Sequence, residues 1–275
     1  ARRVYNVIDT RQSYLQGVVL QGLQALGFTE EAQNSVHFSY EMVALTPACC
    51  EELGYPLQDE EKRRPYVEVS GRRGLGVKAD DLLDALTQKA LEEVRARHRL
   101  PPEEAVAIAR LIAVGALRYF LLRFARNTVI AFDFKEALSF DGETGPYVQY
   151  AVVRAANIFR KLAEAEPQAR FSWRDADKAA LGRFLSDNDD IWELVYQALR
   201  LPEVVRQATQ SLELSQLCKY SFYLAQKFNL FYHKYHILSE PDKFRRLNLL
   251  LVAHLVRCQL QKALDLLGCE IPPRM

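Results

Sequence analysis

The sequence predicts a mainly α-helical protein, a C-terminal helix bundle preceded by a short α/β stretch. Three observations predict it. The first 45 or so residues read strand, helix, strand. Asp141-Gly-Glu-Thr-Gly-Pro146 is a dense cluster of turn residues that divides the chain. Beyond it, apolar residues recur at helical spacing to the end of the chain.

The elements follow in order. Val4 to Ile8 is a buried-strand pattern. Gln12 to Leu26 is helical, with Leu15, Val18, Val19, Leu23 and Leu26 on one side, and stops at Gly27. Val36 to Leu45 reads as a second strand, giving the signature of a parallel α/β unit too short for a complete nucleotide-binding fold. Pro47 to Pro65 is a charged connector, and Ser70 to Gly76 a glycine-rich basic loop. Asp80 is placed to cap a helix running to about Arg99. Pro101-Pro102 opens another, through about Phe124, and Asn127 to Phe134 is short and β-prone. The bundle helices are expected over about 146–164, 176–200, 203–236 (with a break allowed near Ser211) and 241–267.

Of the 275 residues, 49% are hydrophobic and 26% charged, which excludes a disordered chain and supplies more than one core. The net charge of +1 says nothing about a partner. It is unevenly placed, however, at roughly −3 before Gly145 and roughly +4 from there on, a mild bias toward RNA at the C-terminal end. The five cysteines form no Cys-x-x-Cys pair and have no histidine at zinc spacing, so no metal site is expected. Their odd number suits a reducing, cytoplasmic protein, with Cys218 and Cys258 as packing residues. No long uncharged apolar run is present, so no membrane span is expected. The chain opens on a strand-like run without an initiator Met or a signal peptide, and so reads as a piece of a longer protein.

The helix beginning at Pro146 carries the most information. At about 100° per residue, Val148, Val152, Ala155, Phe159 and Leu162 form a core stripe. Tyr147, Tyr150 and Arg154 share another face, roughly 130° away. Tyrosine rings stack on unpaired bases and arginine pairs with phosphate, so this face suits a nucleotide platform. Packing on a neighbouring helix is the competing use, and the spacing alone leaves the two about even.

Gly142-Glu-Thr-Gly-Pro-Tyr-Val-Gln-Tyr-Ala-Val-Val-Arg154 resembles the start of the anticodon-binding domain of arginyl-tRNA synthetases, a class I family. Phe228-Asn-Leu-Phe-Tyr-His-Lys-Tyr-His-Ile-Leu238 resembles a later helix end of that domain, and Leu267-Gly-Cys-Glu-Ile-Pro-Pro-Arg-Met275 its closing segment. Upstream, Val69-Ser-Gly-Arg-Arg-Gly74 with Asp80-Asp-Leu-Leu-Asp84 resembles the family's signature loop, and His37-Phe-Ser-Tyr-Glu-Met-Val43 the strand beside the ATP adenine. The resemblance implies three segments: 1–68, the end of a Rossmann-like catalytic domain; 69–141, the signature loop and a connecting helical region; and 142–275, the anticodon-binding domain.

It also implies roles. Tyr147, Tyr150, Arg154, Tyr232 and Met275 match positions near the anticodon loop. For Tyr232 the helical spacing equally suits packing, because it borders an apolar stripe of Leu217, Leu224, Phe228 and Phe231. Gln12 matches a contact to arginine, and His37, Met42 and Val43 lie on the adenine strand. Ser70, Arg72 and Arg73 match the catalytic loop, where arginines and backbone donors would neutralise ATP phosphates. The implied partners are an arginine-accepting tRNA, arginine and ATP with Mg2+, and a monomer without a resident cofactor or membrane is expected.

The family's His-x-Gly-His signature is absent from this stretch. Val69 stands where Met or Leu is usual, and Glu41 where glycine is usual, placing a carboxylate that opposes ATP. The leading expectation is therefore the C-terminal half of an arginyl-tRNA synthetase, able to bind tRNA but not to charge it alone. The alternative is a stand-alone, non-catalytic adaptor that binds tRNA or protein.

Overall fold

The opening strand–helix–strand pattern folds as a parallel pair. In this computed structural model, which describes residues 2–68, 77–167 and 177–275, β1 (Val4–Asp9) lies beside β2 (Ser35–Tyr40), with Tyr5 opposite Val36 and Val7 opposite Phe38. Between them run α1 (Ser13–Ala25) and the short α2 (Thr29–Gln33), separated at Gly27, whose φ of 84° suits a residue without a Cβ. The long second strand expected over Val36 to Leu45 is two strands. After Tyr40 the backbone turns to a new partner, Glu41 N donating to the Arg126 carbonyl at 2.8 Å. Then β3 (Val43–Leu45) pairs in parallel with β4 (Ile130–Phe132), so each half of the expected strand serves a different two-stranded sheet.

The chain divides by packing into two units, residues 1–77 with 124–133, and residues 78–123 with 134–275. This differs from the division by sequence motif at residues 68 and 141. The smaller unit also holds α3 (Pro47–Glu52) and α4 (Asp59–Lys62). Thr46 caps α3, its hydroxyl accepting from Cys49 N and donating to the Asp133 carboxylate at 2.7 Å. The apolar stripe of α1 does not form a core here. Leu15, Val18, Val19 and Leu26 are all exposed, as are Val4 and Val7. A pair of strands is too narrow to cover the apolar side of a helix, so those residues keep their water.

The larger unit is a helix bundle. It is entered through α5 (Ala79–Arg97) and α6 (Pro102–Leu122). Lys78 rather than Asp80 occupies the cap of α5, with no side-chain bond. Asp80 sits with Asp81 in the first turn, where a carboxylate interacts favourably with the helix dipole. By length and composition alone α6 is apolar enough to cross a membrane, although Arg110 and Arg118 interrupt its apolar run. Its apolar character has a local use: Ile108, Ile112, Ala116, Tyr119 and Phe120 are all buried in the unit, and Tyr119 donates its hydroxyl to the Cys218 carbonyl at 2.7 Å.

After α7 (Phe134–Ala137), the turn cluster brings the chain round at Gly142, φ 81°, into α8 (Gly145–Ala165). Thr144 is the cap. Its hydroxyl accepts from Tyr147 N at 3.3 Å and donates to the Ser139 carbonyl at 2.6 Å. The next expected helix is two, α9 (Lys178–Ser186) and α10 (Asp189–Leu199), with the break at Asp187-Asn188. The break allowed near Ser211 is real: α11 (Leu201–Ser211) ends there, Leu212 takes the left-handed conformation, and α12 (Ser215–Lys234) follows. The last helix, α13 (Lys243–Leu267), is capped by Asp242 and closed by Gly268 at φ 68°.

The bundle core joins α8, α10, α12 and α13 through Val148, Val152, Leu194, Leu224, Phe228, Val256 and Leu260. Cys218 packs there, and burial pushes its thiol well above the usual range. Cys258, expected to do the same, is only half buried, with its Sγ 3.6 Å from His254 Nε2. Two glycines set the closest approach of α6 and α8. A Cβ on Gly145 would lie 2.5 Å from the Gly115 carbonyl oxygen, so the first turn of α8 rests directly on the α6 backbone. Beside this contact Gln149 is fully buried, its amide donating to the Leu111 carbonyl at 3.1 Å and to the Glu270 carbonyl at 2.6 Å. That amide ties the C-terminal tail to both helices.

Candidate nucleic-acid interface

Capping by Thr144 and the close seat of Gly145 fix the rotation of α8 about its axis. Val148, Ala151, Val152 and Ala155 face inward and are buried. The core side is wider than the expected stripe, taking in Ala151, Val153 and Ile158, while Phe159 is only partly buried. Tyr147, Tyr150 and Arg154 are half-buried and line one open cavity of about 510 Å3, together with Met275. A volume of this size matches a small-ligand site and has room for a nucleobase.

The tail reaches this cavity through several anchors. Gly268 takes the left-handed turn, Arg118 donates to its carbonyl at 3.1 Å, Gln149 holds Glu270, and Arg274 pairs with Glu104 at 3.0 Å. Met275 is thereby presented as an unbranched apolar wall.

Arg154 is the centre of the polar side. Its guanidinium lies 4.7 Å from the centroid of the Tyr150 ring and 4.9 Å from that of Tyr232. It donates to Asn229 Oδ1 at 2.8 Å and stands 3.4 Å from His233 Nε2. Cation–π packing on both sides holds a long, flexible side chain in one place. Tyr150 is in turn met edge-on by Phe140, with ring centroids 6.4 Å apart. Tyr147 has one face against Phe222, 5.3 Å between centroids. The tyrosines are therefore braced walls, each with part of its surface committed to the protein.

Tyr232 departs most from a simple platform. It packs against the core beside Phe228, and it lines a neighbouring cavity of about 440 Å3 rather than the one holding Tyr147 and Tyr150. It meets the group through Arg154 and through an edge-on contact with His233, ring centroids 5.8 Å apart.

Residues not singled out from the sequence complete the wall. Asn229 and His233 come from α12, inside the Phe228–Leu238 motif but unremarked there. Phe140 and Asp141 come from the turn before α8, and Arg97 and His98 from the end of α5. Arg97 and Arg154 bring two guanidinium groups to the lining, beside the carboxylates of Asp141 and of the Met275 terminus.

The other candidate residues lie apart. Gln12 is exposed at the start of α1, with no side-chain cap bond. His37 on β2 holds its Nε2 3.0 Å from the Ile8 carbonyl, tying the two strands. Met42 accepts from Ile130 N at 3.1 Å through its carbonyl, and Val43 is exposed at the start of β3. Ser70, Arg72 and Arg73, with the rest of the glycine-rich loop, fall outside the described residues.

The helices that build the cavity's main wall coincide with a known domain: the model of the DALR anticodon binding domain matches residues 148–275. Residues 148–275 thus resemble a DALR anticodon-binding domain. The rest of the chain extends the likeness. Over its whole length it is 33% identical to an arginine–tRNA ligase of Deinococcus radiodurans and 32% identical to that of Ignicoccus hospitalis, covering 42% and 39% of those proteins. The solved arginyl-tRNA synthetase of Thermus thermophilus superposes on all of this chain with a TM-score of 0.75 at 29% identity, using 41% of its own length. The chain therefore spans about two fifths of the relatives it matches and corresponds to their C-terminal portion. A synthetase from Plasmodium falciparum, at 18% identity and a TM-score of 0.71, shares the fold. The segment that matches the anticodon-binding model is thus joined, in the same packed unit, to the α5–α6 helix pair that precedes it.

Proposed function

We propose that this chain is the tRNA-binding C-terminal portion of an arginine–tRNA ligase, and that its cavity holds an unpaired base of the anticodon loop. The observation that carries this is the meeting of Tyr147, Tyr150, Arg154 and Met275 around one cavity on a DALR anticodon-binding domain. Bases of a loop are unstacked at little cost, and a splayed base finds aromatic walls there while Arg154 meets its edge or its phosphate. Asn229, already accepting from Arg154 through Oδ1, keeps an amide donor for a base acceptor.

In the complete enzyme, arginine is activated with ATP and Mg2+ and passed to the tRNA. Gln12 would contact arginine, His37, Met42 and Val43 would border the adenine, and Ser70, Arg72 and Arg73 would neutralise the phosphates. The reading carries with it a cytoplasmic location, a monomer, and an arginine-accepting tRNA as partner.

The test is binding of an arginine-accepting tRNA transcript by this chain at several salt concentrations. Binding that weakens steeply with salt is expected, as is a loss of about 1–3 kcal/mol on Tyr150→Ala. Salt-independent or absent binding overturns the proposal. Arginine-dependent ATP–pyrophosphate exchange is expected to be undetectable with this chain alone, and its appearance would show that the activation machinery is complete here.

A further inference from the structure

The cavity is not built from the anticodon-binding domain alone. Arg97 and His98 line it from the end of α5, about fifty residues before the domain match begins at residue 148. Arg97 is the last residue of that helix, and its guanidinium lies 4.4 Å from the centroid of the Phe140 ring. Phe140 meets Tyr150 edge-on, Tyr150 holds Arg154, and Arg154 holds Tyr232. The result is an unbroken row of cations and rings: Arg97, Phe140, Tyr150, Arg154, Tyr232.

The two arginines of this row differ in a way that assigns them different tasks. Arg154 is half-buried and engaged by two rings, an amide and a histidine. Arg97 is exposed, and the one ion pair it makes among the described residues, to Glu93 at 3.1 Å, is a surface pair on one helix. Such pairs are weak and are readily exchanged for a better anion. Stacking on Phe140 fixes the plane of the guanidinium and leaves its N–H edge, where Nη2 now donates to Glu93, turned outward for exchange onto a phosphate by two parallel hydrogen bonds. His98, next in the chain, lines the same cavity and has an Nε2 that is buried without a hydrogen-bond partner among the described residues. A buried polar atom left unpaired is costly, and a ligand group that reaches it relieves that cost.

We infer that Arg97 is a phosphate-binding residue for the RNA strand entering this cavity, so that the RNA site extends beyond the anticodon-binding domain onto the end of α5. The inference rests on the proposed tRNA reading and adds a residue, a ligand group and a second structural element to it. Because a phosphate carries no base identity, Arg97 sets affinity and register, while the Tyr147, Tyr150 and Arg154 group discriminates the base.

The experiment compares the parent chain with Arg97→Gln and Glu93→Gln, titrating an arginine-accepting tRNA transcript and one with an altered anticodon over a range of salt. Arg97→Gln is expected to lose about tenfold in affinity for both transcripts. It should also lower the salt slope by about 0.7, as for one phosphate on a single strand. Glu93→Gln, which frees Arg97 from its carboxylate and leaves the helix surface intact, is expected to bind more tightly. Should the parent bind in a salt-dependent way while Arg97→Gln keeps the parent's slope, this inference fails and the tRNA reading stands. A loss confined to one anticodon assigns Arg97 to a base and overturns the phosphate role. Weaker binding by Glu93→Gln also counts against it. A parent that binds no tRNA removes both readings together.

Discussion

Replacing Arg154 by alanine is expected to weaken tRNA binding by at least about 2 kcal/mol, more than the loss of Tyr147. Arg154 contributes its own charge, but it also stands between the Tyr150 and Tyr232 rings and is tied to Asn229. Removing it leaves two tyrosines without the group that spaces them, so the polar and the aromatic sides of the cavity are lost together. Tyr147, by contrast, remains braced on Phe222 and occupies an edge of the site. Arg154→Lys keeps a charge but cannot stack as a plane on two rings, and should recover only part of the loss. Equilibrium binding of the three variants decides the matter. If Arg154→Ala binds as the parent does, the cavity is a packing feature and not a base site.

The largest effect on stability is expected at a glycine. Gly145→Ala should destabilise the larger unit by about 1–3 kcal/mol, because the added Cβ meets backbone that cannot swing aside. The atom in its way is the Gly115 carbonyl oxygen, within a helix whose neighbours are buried. Gly182 is the control. It lies in α9 with nothing within 4 Å of the position its Cβ would take. Alanine there should stabilise by up to about 1 kcal/mol through helix propensity. Urea midpoints of the two variants should therefore move in opposite directions. A midpoint for Gly145→Ala at or above the parent's would show that α6 and α8 are not held in the contact described.

How much of this was legible in the sequence depends on the range of the interaction involved. Helical spacing placed Tyr147, Tyr150 and Arg154 on one face, since rotation along a single helix is fixed by local geometry, and all three line the same cavity. Family likeness matched Tyr232 to the site while spacing left packing equally open, and it does pack against the core, joined to the site through Arg154 and His233. Arg97 was not legible at all. It ends a separate helix far upstream, and only the closure of the bundle brings it beside Phe140. The α1 stripe shows a different limit. Periodicity identified the helix, but whether an apolar face is covered depends on what packs against it, which no local pattern reports. The split of the second strand into β2 and β3 likewise follows from distant partners, β1 for one and β4 for the other.

The buried amide of Gln149 has a consequence for how the protein comes apart. Its two hydrogen bonds join a carbonyl on α6 to one in the tail, so neither α6 nor the tail can detach without leaving an amide hydrogen of the buried Gln149 unpaired. A carboxypeptidase that accepts proline, digesting inward from Met275, would thus remove the exposed Arg274 and Pro273 and slow abruptly at Glu270 and the buried Cys269. Beyond that point each further cleavage would require the bundle itself to open, so trimming would report the opening of the bundle, and its unfolding rate where cleavage outpaces reclosing, rather than the mobility of its end.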